Sequence, residues 1–241
     1  MKLSNYMKAL CVIPARGGSK RIPLKNIKTF LGKPLISYTI ESARESNIFD
    51  KIIVSTDSRK IKKVAMKYGA EVPFMRPKRI SGDVPTEDVA VHAVKFFKKK
   101  KIEFDVVFTL EPTYVARSAE HIKKAYNILL KRKNYDSLLT VTEIHERPEW
   151  MWRVERNKMR PFLKTFSKAG KTIMKFPSSK IFKKLYIGNS IVFACKTNSL
   201  IKYNSCVGIN CYPMKLNKKY DLDLNWPEDW KKCEIALKKL K

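Results

Sequence analysis

Apolar positions along the chain follow two alternating rhythms. Ala9 to Pro14 is an unbroken apolar run bounded by Gly- and Pro-containing sequence, which predicts a buried parallel strand. Pro34 to Ser46 sets Leu35, Ile36, Ile40 and Ala43 on one helical stripe. Lys51 to Thr56 returns to the strand pattern, and a helix follows over 58–68 with Gly69 just past its end. The spacing then predicts a short strand from Glu71 to Met75, a helix from Thr86 to Lys99 and a strand from Phe104 to Leu110. A helix over Ser118 to Lys131, with Ser118 as its N-cap, and a strand over Ser137 to Thr142 complete the regular part. The β-α-β-α order implies right-handed crossovers and a doubly wound, mostly parallel α/β sheet. Ligands collect at the carboxyl ends of strands in such sheets. The loop after the first strand, Asp57, and Glu111 to Arg117 all fall there.

The rhythm breaks over 145–184, a basic, aromatic stretch with Trp150, Trp152, Phe162, Phe166 and Phe176. It reads as an inserted arm on a single domain spanning 1–241. Alternation resumes over Tyr186 to Ala194 and Cys206 to Met214. An extended Tyr220 to Leu224 and a helix starting near Pro227 follow.

Composition narrows the class. A chain of 241 residues with 44% hydrophobic content supports a core of its own. The 51 Lys+Arg against 22 Asp+Glu give +29, which favours acidic partners such as phosphorylated small molecules or nucleic acid. The cations are dispersed; the one run, Lys98 to Lys101, sits at a helix C-terminus where it complements the macrodipole. No nucleic-acid recognition motif accompanies the charge. Cys11, Cys195, Cys206, Cys211 and Cys233 have no C-x-x-C spacing, so neither a disulfide framework nor a zinc site follows, and a cytoplasmic setting is expected. Ala9 to Ala15 is too short for a signal peptide, and no apolar run approaches a membrane span, so no membrane partner is expected.

The chemistry concentrates at two places. After the first strand, Gly17, Gly18 and Ser19 offer backbone N–H groups among Arg16, Lys20, Arg21 and Lys25. Oriented amides with cations suit a polyphosphate, and paired glycines suggest close backbone approach to a ligand. The segment is neither of the common nucleotide fingerprints: Ile22 stands five positions after Gly17, and G-x-G-x-x-G is absent. Near the C-terminus, Tyr220-Asp221-Leu222-Asp223 on an extended segment would project both carboxylates to one side. Two carboxylates are the hard-oxygen set that Mg²⁺ uses, with substrate phosphates and waters completing the shell. Asp57 and Asp83 are lesser metal candidates that could equally cap a turn or helix.

With both places identified, the chain resembles the acylneuraminate (nonulosonate) cytidylyltransferases, the CMP-sialic acid synthetases. The resemblance runs through I-P-A-R-G-G-S-K-R-I-P-L-K-N (13–26), F-L-G-K-P-L-I-S-Y-T-I-E (30–41), I-I-V-S-T-D (52–57), A-E-V-P-F-M-R-P (70–77), T-L-E-P-T (109–113) with Arg117, and D-L-D (221–223). It implies a Rossmann-like sheet of the nucleotide-diphospho-sugar transferase type, a homodimer built partly by the 145–184 arm, and Mg²⁺ dependence. The implied reaction joins CTP to a nine-carbon 2-keto sugar acid, giving CMP-sugar and pyrophosphate. Carried over by position, Arg16, Gly17, Ser19, Lys20 and Lys25 would hold the triphosphate, and Asn26, Arg76 and Thr86 would surround the cytidine. Asp221 and Asp223 would bind the metal; Glu111 and Arg117 would lie at the sugar pocket. Arg16, Lys20, Lys25 and Asp223 would carry the catalytic charge, with the general base open between Asp223 and a hydroxide on the metal.

The chain departs from the family pattern around the acceptor. Glu111 stands where Gln is usual, and Tyr114-Val115-Ala116 precede Arg117. Lys175-Phe176-Pro177 replaces an Arg-Gln pair before Leu-Pro, and Asn189-Ser190 replaces Asn-Gly. Lys175 is the expected partner of the sugar carboxylate. Sialic, pseudaminic and legionaminic acids all remain acceptors at this point. Transfer to an eight-carbon 3-deoxy-manno-octulosonate is the alternative, although its Ser-Thr-Arg-Leu-Pro loop differs from Ser19-Lys20-Arg21-Ile22-Pro23. A basic nucleic-acid-binding protein and a catalytically degenerate binding module are the other readings.

Overall fold

A computed structural model describes residues 6–163 and 183–240. Its regular elements are strands β1 (Ala9–Pro14), β2 (Thr29–Phe30), β3 (Lys33–Pro34), β4 (Lys51–Ser55), β5 (Val106–Thr109), β6 (Ser137–Ile144), β7 (Trp152–Glu155), β8 (Lys158–Pro161), β9 (Leu185–Lys196) and β10 (Cys211–Leu216). The α-helices are α1 (Leu35–Glu45), α2 (Arg59–Lys67), α3 (Thr86–Lys99), α4 (Ala119–Lys131), α5 (Thr197–Tyr203) and α6 (Pro227–Leu240).

The central sheet has the order β10-β6-β9-β5-β1-β4. β1 lies between β4 and β5 and is parallel to both, and β10 is parallel to β6. β9 runs antiparallel between β5 and β6, so the sheet is mixed but mostly parallel. The apolar β1 run has the composition this position demands, because helices cover it on both faces. Ala9, Cys11 and Ile13 pack toward Ile36, Ile40, Ile122 and Ala125 of α1 and α4. Leu10 and Val12 take the other face, against Val89, Ala90, Val94 and Phe97 of α3. A third cluster, Phe30, Leu35, Val115, Leu224 and Leu237, seats α6 against the end of the domain.

Local signals set the helix ends. Ser58 caps α2 by accepting the Ile61 N–H, and Ser118 caps α4 in a reciprocal box with His121. Gly69 closes α2 at φ +91°, where an added Cβ would stand 2.9 Å from the Arg44 guanidinium. α3 opens with Glu87 and Asp88 and closes with Lys98 and Lys99, matching the helix dipole at both ends.

Four segments differ from the sequence expectation. Glu71 to Met75 forms two isolated bridges, to Ile53 and Thr56, rather than a strand, because the chain touches the sheet edge only at those points. Tyr220 to Leu224 is not extended throughout: a 3-10 turn occupies Lys218–Tyr220, and Asp223 makes one bridge to Tyr114. The run from Cys206 begins its strand only at Cys211, since Asp136 accepts the Ile209 and Asn210 N–H groups and holds a loop there. The short helix α5 lay unmarked between β9 and that loop. Of the 145–184 stretch, the described part is a 3-10 turn at Pro148–Trp150 and the antiparallel β7–β8 hairpin. Phe166, Lys175 and Phe176 lie outside the described residues.

Candidate active site

The carboxyl ends of β1 and β5 open into a cleft. One wall is the loop after β1, with Arg16, Ser19, Lys20, Arg21, Lys25 and Asn26. Arg76, Asp83 and Thr86 form a second wall at the entry to α3, and Glu111, Pro112 and Thr113 continue from β5. Asn225 closes the far end. The cleft therefore gathers Arg16, Ser19, Lys20, Lys25, Asn26, Arg76, Thr86 and Glu111 from separate parts of the sequence.

Each wall is fixed by bonds to the scaffold. Asn26 is buried and donates from Nδ2 to the Arg16 carbonyl at 3.1 Å, which holds the start of the loop. Arg76 donates to the Ser55 hydroxyl at 3.1 Å and also to the Ser55 carbonyl, so its base is tied to the end of β4. Burial lowers its pKa to about 10. Lys25 reaches across to the Leu224 carbonyl at 2.9 Å, joining the loop to the segment that carries both aspartates. Burial lowers its pKa, while the nearby Asp223 and Glu111 carboxylates pull it back up. Arg21 stacks on the Trp226 ring at 4.0 Å, a second link between the same segments. Arg16 pairs with Asp83 at 3.1 Å; Asp83 is 87% exposed, so the pair is held weakly.

Glu111 is half-buried at the cleft floor. Thr86 donates to its Oε1 at 3.1 Å, linking α3 to β5. Burial pushes its pKa up, Asp223 adds to this, and Thr86, Arg117 and Lys25 oppose it. Asp223 stands behind this floor and also has its pKa raised by burial, with Thr113, Lys25, Tyr114 and Asn225 counteracting. Its Oδ2 accepts from Asn225, while its buried Oδ1 makes no hydrogen bond. Asp221 turns toward β6, where its Oδ2 accepts from the Thr142 hydroxyl at 2.8 Å.

Three sequence expectations change here. The Gly17 N–H donates to Asp57 Oδ1 at 2.7 Å instead of facing the cleft. The close approach that requires glycine is made to the protein itself: a Cβ on Gly17 would stand 2.9 Å from the Ser58 Cβ, whereas one on Gly18 would meet nothing within 4 Å. Arg117 does not line the cleft. It is buried and donates to Thr39 Oγ1 at 2.8 Å, to the Glu111 and Ser190 carbonyls at 2.7 and 3.1 Å, and to the Ile191 carbonyl. These bonds brace β5 against β9 where the register between β6 and β9 shifts, and burial lowers the Arg117 pKa to about 10. Asp57 accepts the Gly17 amide and Asp83 pairs with Arg16, and among the described residues neither belongs to a group of three or more His, Cys or acidic side chains that could hold a metal ion. Lys175 lies outside the described residues.

Sequence reading missed the parts played by Tyr114 and Asn225. Tyr114 is buried and pairs with Asp223 through the bridge, and Asn225 holds that carboxylate. Asn225 stands two positions after Asp223, which was a local signal; Tyr114 carried none.

A mixed, mostly parallel sheet with a cationic cleft at the ends of its central strands is a Rossmann-like nucleotidyltransferase fold. The fold is shared with the solved structure of a CMP:2-keto-3-deoxy-manno-octonic acid synthetase complexed with CTP, at TM-score 0.71 and 16% identity over 97% of this chain and 100% of that one. A family model described as cytidylyltransferase matches residues 10–232, and the chain belongs to that family. It is 33% identical over 234 residues to the CMP-N,N′-diacetyllegionaminic acid synthase of Legionella pneumophila, covering 93% of this chain and 94% of that protein. It is 45% identical over 129 residues to a pseudaminic acid cytidylyltransferase of Campylobacter jejuni. That match covers 53% of this chain and spans only about half, 56%, of the relative's length. Among the described residues no helix is long and apolar enough to cross a membrane.

Proposed function

We propose that the protein transfers the cytidylyl group of CTP to the anomeric hydroxyl of a nine-carbon 2-keto sugar acid of the sialic, pseudaminic or legionaminic type. The products are a CMP-sugar and pyrophosphate. The observation that carries this reading is the convergence of Arg16, Lys20, Lys25 and Arg76 with the half-buried Glu111 in one cleft. The near full-length likeness to the Legionella legionaminic acid enzyme supports the nine-carbon class over the octulosonate alternative.

In the reaction the anomeric oxygen bonds to the α-phosphorus as the bond to the bridging oxygen of the pyrophosphate breaks, and the hydroxyl proton passes to a base. Positioning and charge neutralisation dominate such a transfer. Arg16 suits two-point phosphate binding, whereas Lys20 and Lys25 act as point charges on the departing pyrophosphate. Burial pushes the Glu111 pKa up, which favours its neutral form and so weakens the repulsion that a carboxylate would exert on the sugar acid. Asp223, whose buried Oδ1 lacks a hydrogen-bond partner, is the ligand we assign to a hard divalent cation, and Asp221 would join it by turning its carboxylate away from Thr142. When bound, Mg²⁺ would supply neutralisation of the phosphate charge. The 145–184 arm, whose described part exposes Val154, Met159 and Phe162, is the face we assign to a homodimer.

The test is pyrophosphate release from CTP and Mg²⁺ with pseudaminic, legionaminic, N-acetylneuraminic and 3-deoxy-manno-octulosonic acids in parallel. Release with a nine-carbon acid supports the assignment; release with the octulosonate alone overturns it.

A further inference from the structure

Asp57 is an acid where the proposed function needs positive charge. It lies just beyond β4, against the loop that would hold the triphosphate, and no role in cytidylyl transfer falls to it directly. A carboxylate at this point opposes binding of a polyanion by charge alone. Its contacts give it another use. Its Oδ1 accepts the Gly17 N–H at 2.7 Å, and the neighbouring Ser58 Cβ stands 2.9 Å from where a Gly17 Cβ would be. Two more bonds fix the same turn, Ala15 N–H to the Ser55 carbonyl at 2.9 Å and Asn26 Nδ2 to the Arg16 carbonyl at 3.1 Å. The inner side of the loop is thereby fastened to β4 and its exit, and Ser19, Lys20 and Arg21 are left on the cleft side.

We propose that Asp57 is the positioning residue of the phosphate loop, setting through the Gly17 amide the direction in which Ser19 and Lys20 face CTP. The inference rests on the cytidylyltransferase reading. It makes a prediction opposite in sign to charge alone. Removing a nearby anion should tighten CTP binding if Asp57 acts only through its field, but should loosen it if Asp57 holds the loop.

The experiment measures the KM for CTP, the KM for the sugar acid and kcat, with CTP affinity by calorimetry, for wild type, Asp57→Ala and Asp57→Asn. Asn keeps an oxygen that can accept the Gly17 N–H and removes the charge. The expected result is a rise of about tenfold in the CTP KM for Asp57→Ala, the scale of one charge-assisted hydrogen bond. The sugar KM and kcat should stay within about twofold, and Asp57→Asn should match or improve on wild type. An Asp57→Ala variant binding CTP as well as wild type, or Asp57→Asn weakened as much as Asp57→Ala, overturns the inference. Gly17→Ala gives an independent check, because its Cβ must push the loop off Ser58 with Asp57 intact: a raised CTP KM supports the inference and an unchanged one overturns it. A wild-type protein that does not bind CTP overturns the cytidylyltransferase reading itself. CTP binding that is insensitive to Asp57→Ala overturns only the role of Asp57.

Discussion

Arg117→Met should damage the fold far more than the sugar affinity. The guanidinium is buried and donates to Thr39 Oγ1 and to the carbonyls of Glu111, Ser190 and Ile191. A methionine fills similar space but donates nothing, so those acceptors lose their partner together. A stranded buried acceptor costs about 1–3 kcal/mol. Relief from burying the charge and local relaxation return part of that, leaving a net loss of roughly 4 kcal/mol. For a domain of this size each kcal/mol lowers the melting point by about 2–4 °C, so a fall of about 8–16 °C is expected. Arg117→Lys should recover only part of it, since one ammonium cannot span partners on α1, on the segment after β5 and on β9. Thermal unfolding by circular dichroism, alongside the sugar KM of whatever folded protein remains, reads the result. A variant that melts within about 2 °C of wild type while its sugar KM rises steeply would rule out the bracing role and return Arg117 to the acceptor pocket.

Three further outcomes are expected. Burial holds the Glu111 pKa above its ordinary 4.5, so the folded state keeps a proton that the unfolded chain loses, and stability falls as pH rises above that value. Glu111→Gln should therefore gain on wild type in urea midpoint from about pH 5 to pH 8; a gap that stays constant across this range contradicts the account. His121 accepts the Ser118 N–H through Nδ1, and burial depresses its pKa below 6.5, so its contribution is present above that value and lost as pH falls below it. His121→Gln should flatten the acid side of the stability curve, and an unchanged slope between about pH 7.5 and 5.5 argues against the cap. Asp223→Asn should lower kcat by about 10²–10³ and abolish any Mg²⁺-dependent rise in melting point; retention of that rise removes Asp223 from the metal site.

Much of the fold was legible because its signals are local. β1 is apolar at every position since helices cover both faces, and α3 and α4 carry their apolar stripe, acidic or capped start and basic end within their own sequence. The Glu71–Met75 and Tyr220–Leu224 segments misled because short apolar alternation does not say whether a partner strand lies alongside for more than one residue pair. The cleft was legible where side chains meet solvent, as with Arg16, Lys20 and Thr86. It was not legible where the decisive partner is a distant backbone group. Arg117 has the charge of a ligand-binding residue, yet its bonds go to carbonyls brought together only by the antiparallel insertion of β9. Gly17 likewise signals close approach, but only the folded chain shows that Ser58 makes it.

In the proposed reaction the sugar's own anomeric oxygen attacks the α-phosphorus of CTP in this cleft. Acceptor labelled with ¹⁸O at the anomeric hydroxyl, incubated with CTP, Mg²⁺ and the protein, tests this by mass spectrometry of the products. The label is predicted in the bridge between sugar and phosphate of the CMP-sugar, with none in pyrophosphate. A CMP-sugar without the label while the unreacted acceptor still carries it, or label found in pyrophosphate, would contradict it.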